Sequence, residues 1–471
     1  MRVALDADAL VAKLEEALER ATDRHGHRLV SATVAAGTDL DPAAIAFGSR
    51  RADDRWFCWE QPDRDFALAG LGTAIEVVSR GPDRFRDVAE GCARAMHDRS
   101  ASEPDGLPAG AGPIWTAGFA FSPDGGKEPI WSSLAPALAV MPEVAISRSD
   151  GSSFLTAVAS TEPGRDPEES LERIRRRLAS LQSAPLTPAD PHPGASASIA
   201  GRHPPERYER IVAEAVERIA GGSVDKVVLA RELTVEAASA HDPAALHGSL
   251  RDLFPACFCF CFGTPEAAFM GASPELLVRR SGAVAATVAL AGTTPRSADP
   301  AVDDHLGEAM LRSPKVRDEH GIVVRRIERT LRPHAVWVHH ESEPFVVKVG
   351  NIQHLATPIR AQLADAMSAV ELAGRLHPTP AIGGEPRERA LTMIDELEGI
   401  DRGWYTGPIG WMDAVEDGEF CVGLRSALLR DREAHLYAGC GIVADSDPAA
   451  ELQESELKFE ALLPLLSFTG T

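Results

Sequence analysis

From Val224 onward the chain sets down one short β-type run after another, with helices between them at no regular interval. The runs are VDKVVLARELTV (224–235), CFCFCFG, AAFMGASPELLVRR, AVAATVALAG, VWVHHES, GEFCVGLRSALL and HLYAGCGIVA. They are rich in β-branched, aromatic and alternating apolar residues, which suit a pleated, half-buried surface. Helical periodicity falls near 314–331, 365–376, 385–398 and 449–465. It also covers ERYERIVAEAVERIAGG, which Gly221 and Gly222 end as a helix C-terminus prefers. A doubly wound sheet needs strand and helix in strict turn, so the pattern predicts an α+β fold. No GxGxxG follows a strand and there is no GxxxxGK[ST], so nucleotide-binding folds have no support. The absence of GxSxG weakens a serine hydrolase.

The region before this series reads differently. Residues 1–182 combine an amphipathic N-terminal helix, strand-like runs at 114–122, 137–147 and 153–160, and an Arg/Glu-patterned helix at 171–181. Residues 183–205 are rich in Pro, Ala and Ser with almost no large apolar side chain, which predicts an exposed connecting loop. Residues 206–471 hold the sharper pattern, and the parts are expected to form one integrated domain.

Charge narrows the function classes. The 471 residues carry a formal net charge of −22, which opposes binding to nucleic acid or to anionic membrane surfaces. A small anionic substrate would need a local basic pocket or a bound cation. The seven cysteines form no disulfide framework, the N-terminus does not read as a signal peptide, and no apolar run is long enough to span a bilayer. A soluble cytoplasmic protein with reduced thiols is expected. Cys257, Cys259 and Cys261 alternate with Phe258, Phe260 and Phe262, the mark of a buried strand rather than of zinc-ligand spacing.

A small set of residues stands out as chemistry. Lys226 interrupts an apolar strand, where desolvation disfavours its charge and favours use as a general base; an edge lysine facing water is the plain alternative. Glu275 follows Pro274 in apolar surroundings that would raise its pKa and make it an acid; a strand-end surface acid is the alternative. Gly292 and Thr293 in LAGTTPR read as a turn at a strand end where a ligand could approach. Arg425 is read on a strand, and Gly439, Cys440 and Gly441 as a glycine-bracketed turn. In the helix that follows, Glu451, Glu454 and Lys458 share one face. Two acids there suit a hard cation such as Mg2+, and Arg425 and Lys458 suit carboxylates, although such a helix alone is ordinarily a solvated face. Glu319 on the 314–331 helix could join Glu454 as a second Mg2+ ligand, and His354 in VGNIQHLATPI could bond a substrate oxygen.

In this order, these segments resemble the chorismate-utilising enzymes, strongly over 205–471 and loosely before that through ALAGLG (67–72). The resemblance implies a single domain of two large antiparallel sheets packed as a sandwich with helices outside, and a cleft between the sheets as the active site. Lys226 matches the lysine that activates water in the isochorismate and salicylate synthases of that family. ALAGT stands where aminodeoxychorismate synthases carry PIKGT. HPTPAIGG, with Ala381 and Ile382, and DRGWYTGPIGW (401–411) look like the isochorismate synthase branch.

The resemblance further implies Mg2+ held by Glu319 and Glu454, with Glu451 in support, on the ring carboxylate of chorismate. Arg425, Lys458 and Tyr405, with backbone near Gly439 and Gly441, would receive the enolpyruvyl carboxylate. Neutral Lys226 would activate water for C2, and protonated Glu275 would release the C4 hydroxyl. Gly292, Thr293 and His354 would orient the ring. Salicylate synthase, or an inactive chorismate-binding homologue, is the alternative, and the product could serve menaquinone or siderophore synthesis. Family members are often monomers. Two departures appear: Val316 stands where the family usually has an acid, which implies weaker Mg2+ binding, and Cys440 replaces the usual alanine and is expected to react with thiol reagents.

Overall fold

In the strand Phe258–Gly263 the rings of Phe258, Phe260 and Phe262 enter one core, while the thiols of Cys259 and Cys261 enter another. That alternation places the strand in a sheet buried on both faces. The computed structural model describes residues 7–22, 28–38, 40–97, 99–161, 167–187 and 197–467. Residues 1–6 of the N-terminal helical pattern and 188–196 of the Pro-rich stretch lie outside these.

Two sheets form the molecule. The larger has thirteen strands. It runs from Ser198–Gly201 through Lys226–Glu236, Glu433–Ile442, Ser426–Arg430, Ala268–Ser273 and Phe258–Gly263, then continues into the N-terminal half at Trp56–Gln61. The smaller has ten and contains Ile352–Leu363, Val284–Pro295, Leu276–Ser281, Gly418–Val422 and Pro408–Asp413, followed by Ile114–Phe119 and Ala137–Met141. The two halves of the chain therefore share both sheets: Cys58 pairs with Cys261, and Ala117 with Gly410. Phe57, Trp59, Trp404 and Trp411 fill the layer between the sheets. Helices cover the outer faces, among them Arg84–His97, Pro314–Leu331 and Ala369–Leu376 on the smaller sheet. The result is one α+β sandwich, as the resemblance implied. A single parallel pair, Arg28–Ala35 with Ser100–Ser102, departs from the antiparallel rule among the described strands.

The sandwich places the chemistry by crossing from sheet to sheet. Pro274 and Glu275 connect Ala268–Ser273 in the larger sheet to Leu276–Ser281 in the smaller; Gly423, Leu424 and Arg425 make the return crossing from Gly418–Val422 to Ser426–Arg430. The crossings are tied together, Val422 N–H donating to the Glu275 carbonyl at 3.0 Å and Ala272 N–H to the Arg425 carbonyl at 3.1 Å. Glu275 and Arg425 thus meet at one end of the gap between the sheets.

Several local expectations are corrected. Arg425 is not on a strand but in the crossing, with φ +45°. Gly439, Cys440 and Gly441 form no turn: they continue the Glu433–Ile442 strand, opposite Ala230, Leu229 and Val228. Gly292 and Thr293 lie inside Val284–Pro295, at a bulge where the pairing with Ile352–Leu363 shifts register, and Gly292 has φ +77°. The 449–465 helix is two, Pro448–Phe459 and Leu463–Ser467. Within the Pro-rich stretch, Ser198–Gly201 is an exposed edge strand rather than loop.

Candidate active site

Lys226 opens its strand and is almost fully buried. Its Nζ lies 2.8 Å from Glu319 Oε1, an ion pair. Glu319 comes from the Pro314–Leu331 helix, which Ser313 starts by accepting from Val316 N–H, with Pro314 in the first turn. Gly441, on the strand paired with that of Lys226, lies against this pair. A Cβ there would lie 2.7 Å from both Lys226 Cε and Glu319 Oε1, so only glycine leaves the two side chains their room.

Glu275 is 5% exposed, and its carboxyl faces the same cavity. Burial pushes its pKa up to about 8, with Lys226 and Lys458 pulling only part of the way back. It is therefore protonated at neutral pH, the state an acid catalyst needs.

His354 and Arg425 also line the cavity. His354 Nδ1–H donates to the Gly292 carbonyl at 2.8 Å, which leaves Nε2 to accept from Arg425 Nη2 at 3.3 Å. Burial and the neighbouring guanidinium push the His354 pKa down to about 3, so the ring is neutral. Both ring nitrogens are thus committed, and in this structure His354 orients Arg425 rather than offering itself to a substrate oxygen. Arg425 Nη1 is buried with no partner among the described residues. A buried guanidinium donor without an acceptor is costly and suits an incoming carboxylate. The positive φ of Gly292 makes room for Val316, whose Cγ1 would sit 2.4 Å from a Cβ at that position.

The third group lies on the Pro448–Phe459 helix, capped by Asp447 through Ala450 N–H. Lys458 Nζ donates to Glu454 Oε1 at 2.8 Å and to the Gly439 carbonyl at 2.7 Å. Burial pushes the Glu454 pKa up, but Lys458 more than offsets this and holds it below the usual value. Glu451 stands behind Glu454, its pKa raised to about 7 by burial and by the Glu454 charge. Oxygens of the two carboxylates and Cys440 Sγ lie within 4.8 Å of one another. The oxygens are hard donors of the kind Mg2+ takes, so the donor set fits that ion. Glu319 lines the cavity opposite but is paired with Lys226 and lies outside that group.

Cys440 corrects a further expectation. Its side chain leaves the cavity side of the strand and packs with Tyr208, Val212 and Leu229. Burial raises its thiol pKa well above the ordinary value, which makes it inert.

Lys226, Glu275, Gly292, Thr293, Glu319, His354, Tyr405, Arg425, Gly439, Gly441, Glu454 and Lys458 all line one cavity of about 800 Å3, its open mouth included; Glu451 stands outside the lining. Two features escaped the sequence reading. Tyr437 stacks on Tyr405 with ring centroids 5.1 Å apart and forms part of the wall. It shares a strand face with Gly439 and Gly441, and the period of two could have revealed it. Thr406 also lines the wall with φ +61°, unusual for a β-branched residue. Ala381, Ile382 and Leu424 complete an apolar side.

The sequence matches the family described as "Chorismate binding enzyme" over residues 16–467. It is 36% identical over 443 residues to the salicylate biosynthesis isochorismate synthase of Pseudomonas aeruginosa, covering 93% of this chain and 90% of that protein. Identity to the isochorismate synthase MenF of Bacillus subtilis is 31% over 439 residues, covering 92% and 91%. The solved structure of the menaquinone-specific isochorismate synthase MenF from Escherichia coli superposes with a TM-score of 0.79 at 26% identity, covering 97% of this chain and 100% of that one.

Proposed function

This chain belongs to the chorismate binding enzyme family, and on that footing we propose that it is an isochorismate synthase. The observation that carries the reading is that Lys226 and protonated Glu275 line one cavity together with Arg425, one nitrogen of which has no partner among the described residues. A base and an acid lining one cavity suit a reaction in which one hydroxyl arrives as another departs.

The residues divide the work as follows. Arg425 Nη1 and Lys458 take a substrate carboxylate, with Tyr405 beside them. Lys226, once released from Glu319, removes a proton from a water that adds at C2 of chorismate. Glu275 gives its proton to the C4 hydroxyl, which leaves as water while the ring double bonds shift. One water enters and one leaves, so the product is an isomer. Mg2+, held by Glu454 with Glu319 and Glu451, would neutralise substrate carboxylate charge. Gly292 and Thr293, on the bulge, shape the wall beside the ring, and His354 holds Arg425 in place.

Ala381 and Ile382 offer no hydroxyl on the ring side, which favours this reading over a salicylate synthase. Retention of the whole acid–base pair favours it over an inactive homologue. The same reading takes the protein as a cytoplasmic monomer acting on a small molecule, with the product available to menaquinone or siderophore synthesis. All seven cysteines are unpaired, and among the described residues no helix is long and apolar enough to cross a membrane.

The test is turnover of chorismate by the purified protein with and without Mg2+, with pyruvate assayed in parallel. An isomer without pyruvate supports the assignment. Salicylate with equimolar pyruvate would move the protein to the lyase reaction, and binding without turnover would make it an inactive homologue.

A further inference from the structure

Behind the cavity, Glu398 and Arg402 form an ion pair that is 3% and 4% exposed and touches no ring-side space. Arg402 Nε donates to Glu398 Oε2 at 2.9 Å, and Nη2 reaches Glu398 Oε1. The rest of the guanidinium spreads over three segments. Nη2 donates to the Val228 carbonyl at 2.8 Å, and Nη1 to the Ile382 carbonyl at 3.0 Å and to Thr406 Oγ1 at 3.3 Å. Glu398 Oε1 adds a bond from Ala230 N–H at 2.7 Å. The face of the guanidinium lies 4.2 Å from the Phe121 ring centroid.

Val228, Ile382 and Thr406 all line the cavity, and each belongs to a different segment of the chain. Val228 is two residues along the strand from Lys226. Ile382 is in the apolar side. Thr406 follows Tyr405, and its left-handed backbone conformation needs an external hold to persist. We propose that Glu398 and Arg402 are a positioning pair that locks these three segments in register, so that Lys226, the apolar side and Tyr405 meet one substrate at once. The inference rests on the chorismate reading for its kinetic consequences, but the geometry of the hold is independent of it. A buried pair kept only for stability is replaceable by apolar side chains of similar size with little loss. The fork of Arg402 reaches three backbone or side-chain acceptors that no lysine or methionine can satisfy together.

The test compares the parent with R402K and with the double variant E398M/R402M, which removes the buried charges together and protects against simple misfolding. Thermal unfolding and circular dichroism establish that each variant folds. Steady-state kinetics with chorismate then separate kcat from KM, and hydrogen exchange without ligand follows the peptides covering 226–230, 381–383 and 402–407. The expected result is a folded variant whose kcat is down by about 100-fold, the scale of a small misplacement of reacting groups. Faster exchange should be confined to those three peptides. A folded E398M/R402M with parental kcat, KM and exchange would overturn the proposal. If the parent itself fails to turn over chorismate, the functional reading has failed, and the exchange data alone decide the positioning role: faster exchange at all three peptides sustains it, and unchanged exchange removes it.

Discussion

Arg425 Nη2 lies 3.3 Å from His354 Nε2, and Nη1 of the same guanidinium is buried without a partner. The imidazole accepts because the Gly292 carbonyl holds the proton on its other nitrogen. A neutral ring therefore fixes one branch of the fork and leaves the other available to the carboxylate proposed above. Arg425→Lys, which keeps charge but loses the fork, is expected to raise the KM for chorismate by about 100-fold, on the scale of a lost charged hydrogen bond with misplacement. His354→Gln should raise KM less. An unchanged KM in Arg425→Lys would show that the carboxylate binds elsewhere.

Glu275 ties activity to pH. With its pKa raised to about 8, kcat/KM should fall as pH rises through that value, because the acid form disappears. The same shift has a stability consequence. The folded protein holds this proton more tightly than the unfolded chain, whose carboxyl titrates near 4.5. Stability from this group is therefore full below pH 4.5 and lost as pH rises towards 8. Glu275→Gln should abolish turnover yet raise the melting temperature relative to the parent at pH 9, with little difference at pH 4.5. Thermal unfolding across that range checks the sign.

Gly441 sits where a methyl group would strike Lys226 and Glu319. Gly441→Ala should leave the fold intact, because the strand tolerates alanine, and lower kcat by roughly 10–100-fold through displacement of the base. Circular dichroism beside steady-state rates separates the two effects. Equal kcat in the variant would mean that the position of Lys226 does not limit the reaction.

Val316 packs over Gly292 and shares the Pro314–Leu331 helix with Glu319, one of the acids proposed to hold Mg2+. Adding an acid there should strengthen Mg2+ binding: calorimetric titration of Val316→Asp is expected to give about tenfold higher affinity, the low end of typical outer-shell effects. Affinity equal to the parent would show that this position is not part of the metal's surroundings. In the same preparation, alkylation under native conditions should leave Cys440 unmodified, as its burial requires.

The residues legible in the sequence were those that break a local pattern. Lys226 interrupts an apolar strand, Glu275 follows a proline between two strands, and Glu451, Glu454 and Lys458 repeat at helix spacing. Strand existence was also legible, down to the opposite faces of Cys259 and Phe260. What misled was glycine. Gly292, Gly439 and Gly441 look like turn residues, yet each lies inside a strand, two of them where another residue's side chain crosses the backbone closely: Val316 over Gly292, and Lys226 with Glu319 over Gly441. That crowding comes from distant segments and leaves no local trace. The pairings of Trp56–Gln61 with Phe258–Gly263 and of Ile114–Phe119 with Pro408–Asp413 are equally long-range, and they join the two halves in one sandwich. Arg402 was invisible for the same reason, since its acceptors Val228, Ile382 and Thr406 come together only in the fold.

The central claim is that Lys226 and Glu275 exchange one hydroxyl for another by way of water. The most direct measurement is turnover of chorismate in 18O-labelled water, with the product analysed by mass spectrometry and the position of the label located. The expected product is an isomer carrying one labelled oxygen at C2, formed by the parent and absent with Lys226→Ala although chorismate still binds. An isomer that keeps the original oxygen, or label incorporation that survives Lys226→Ala at the parental rate, would contradict it.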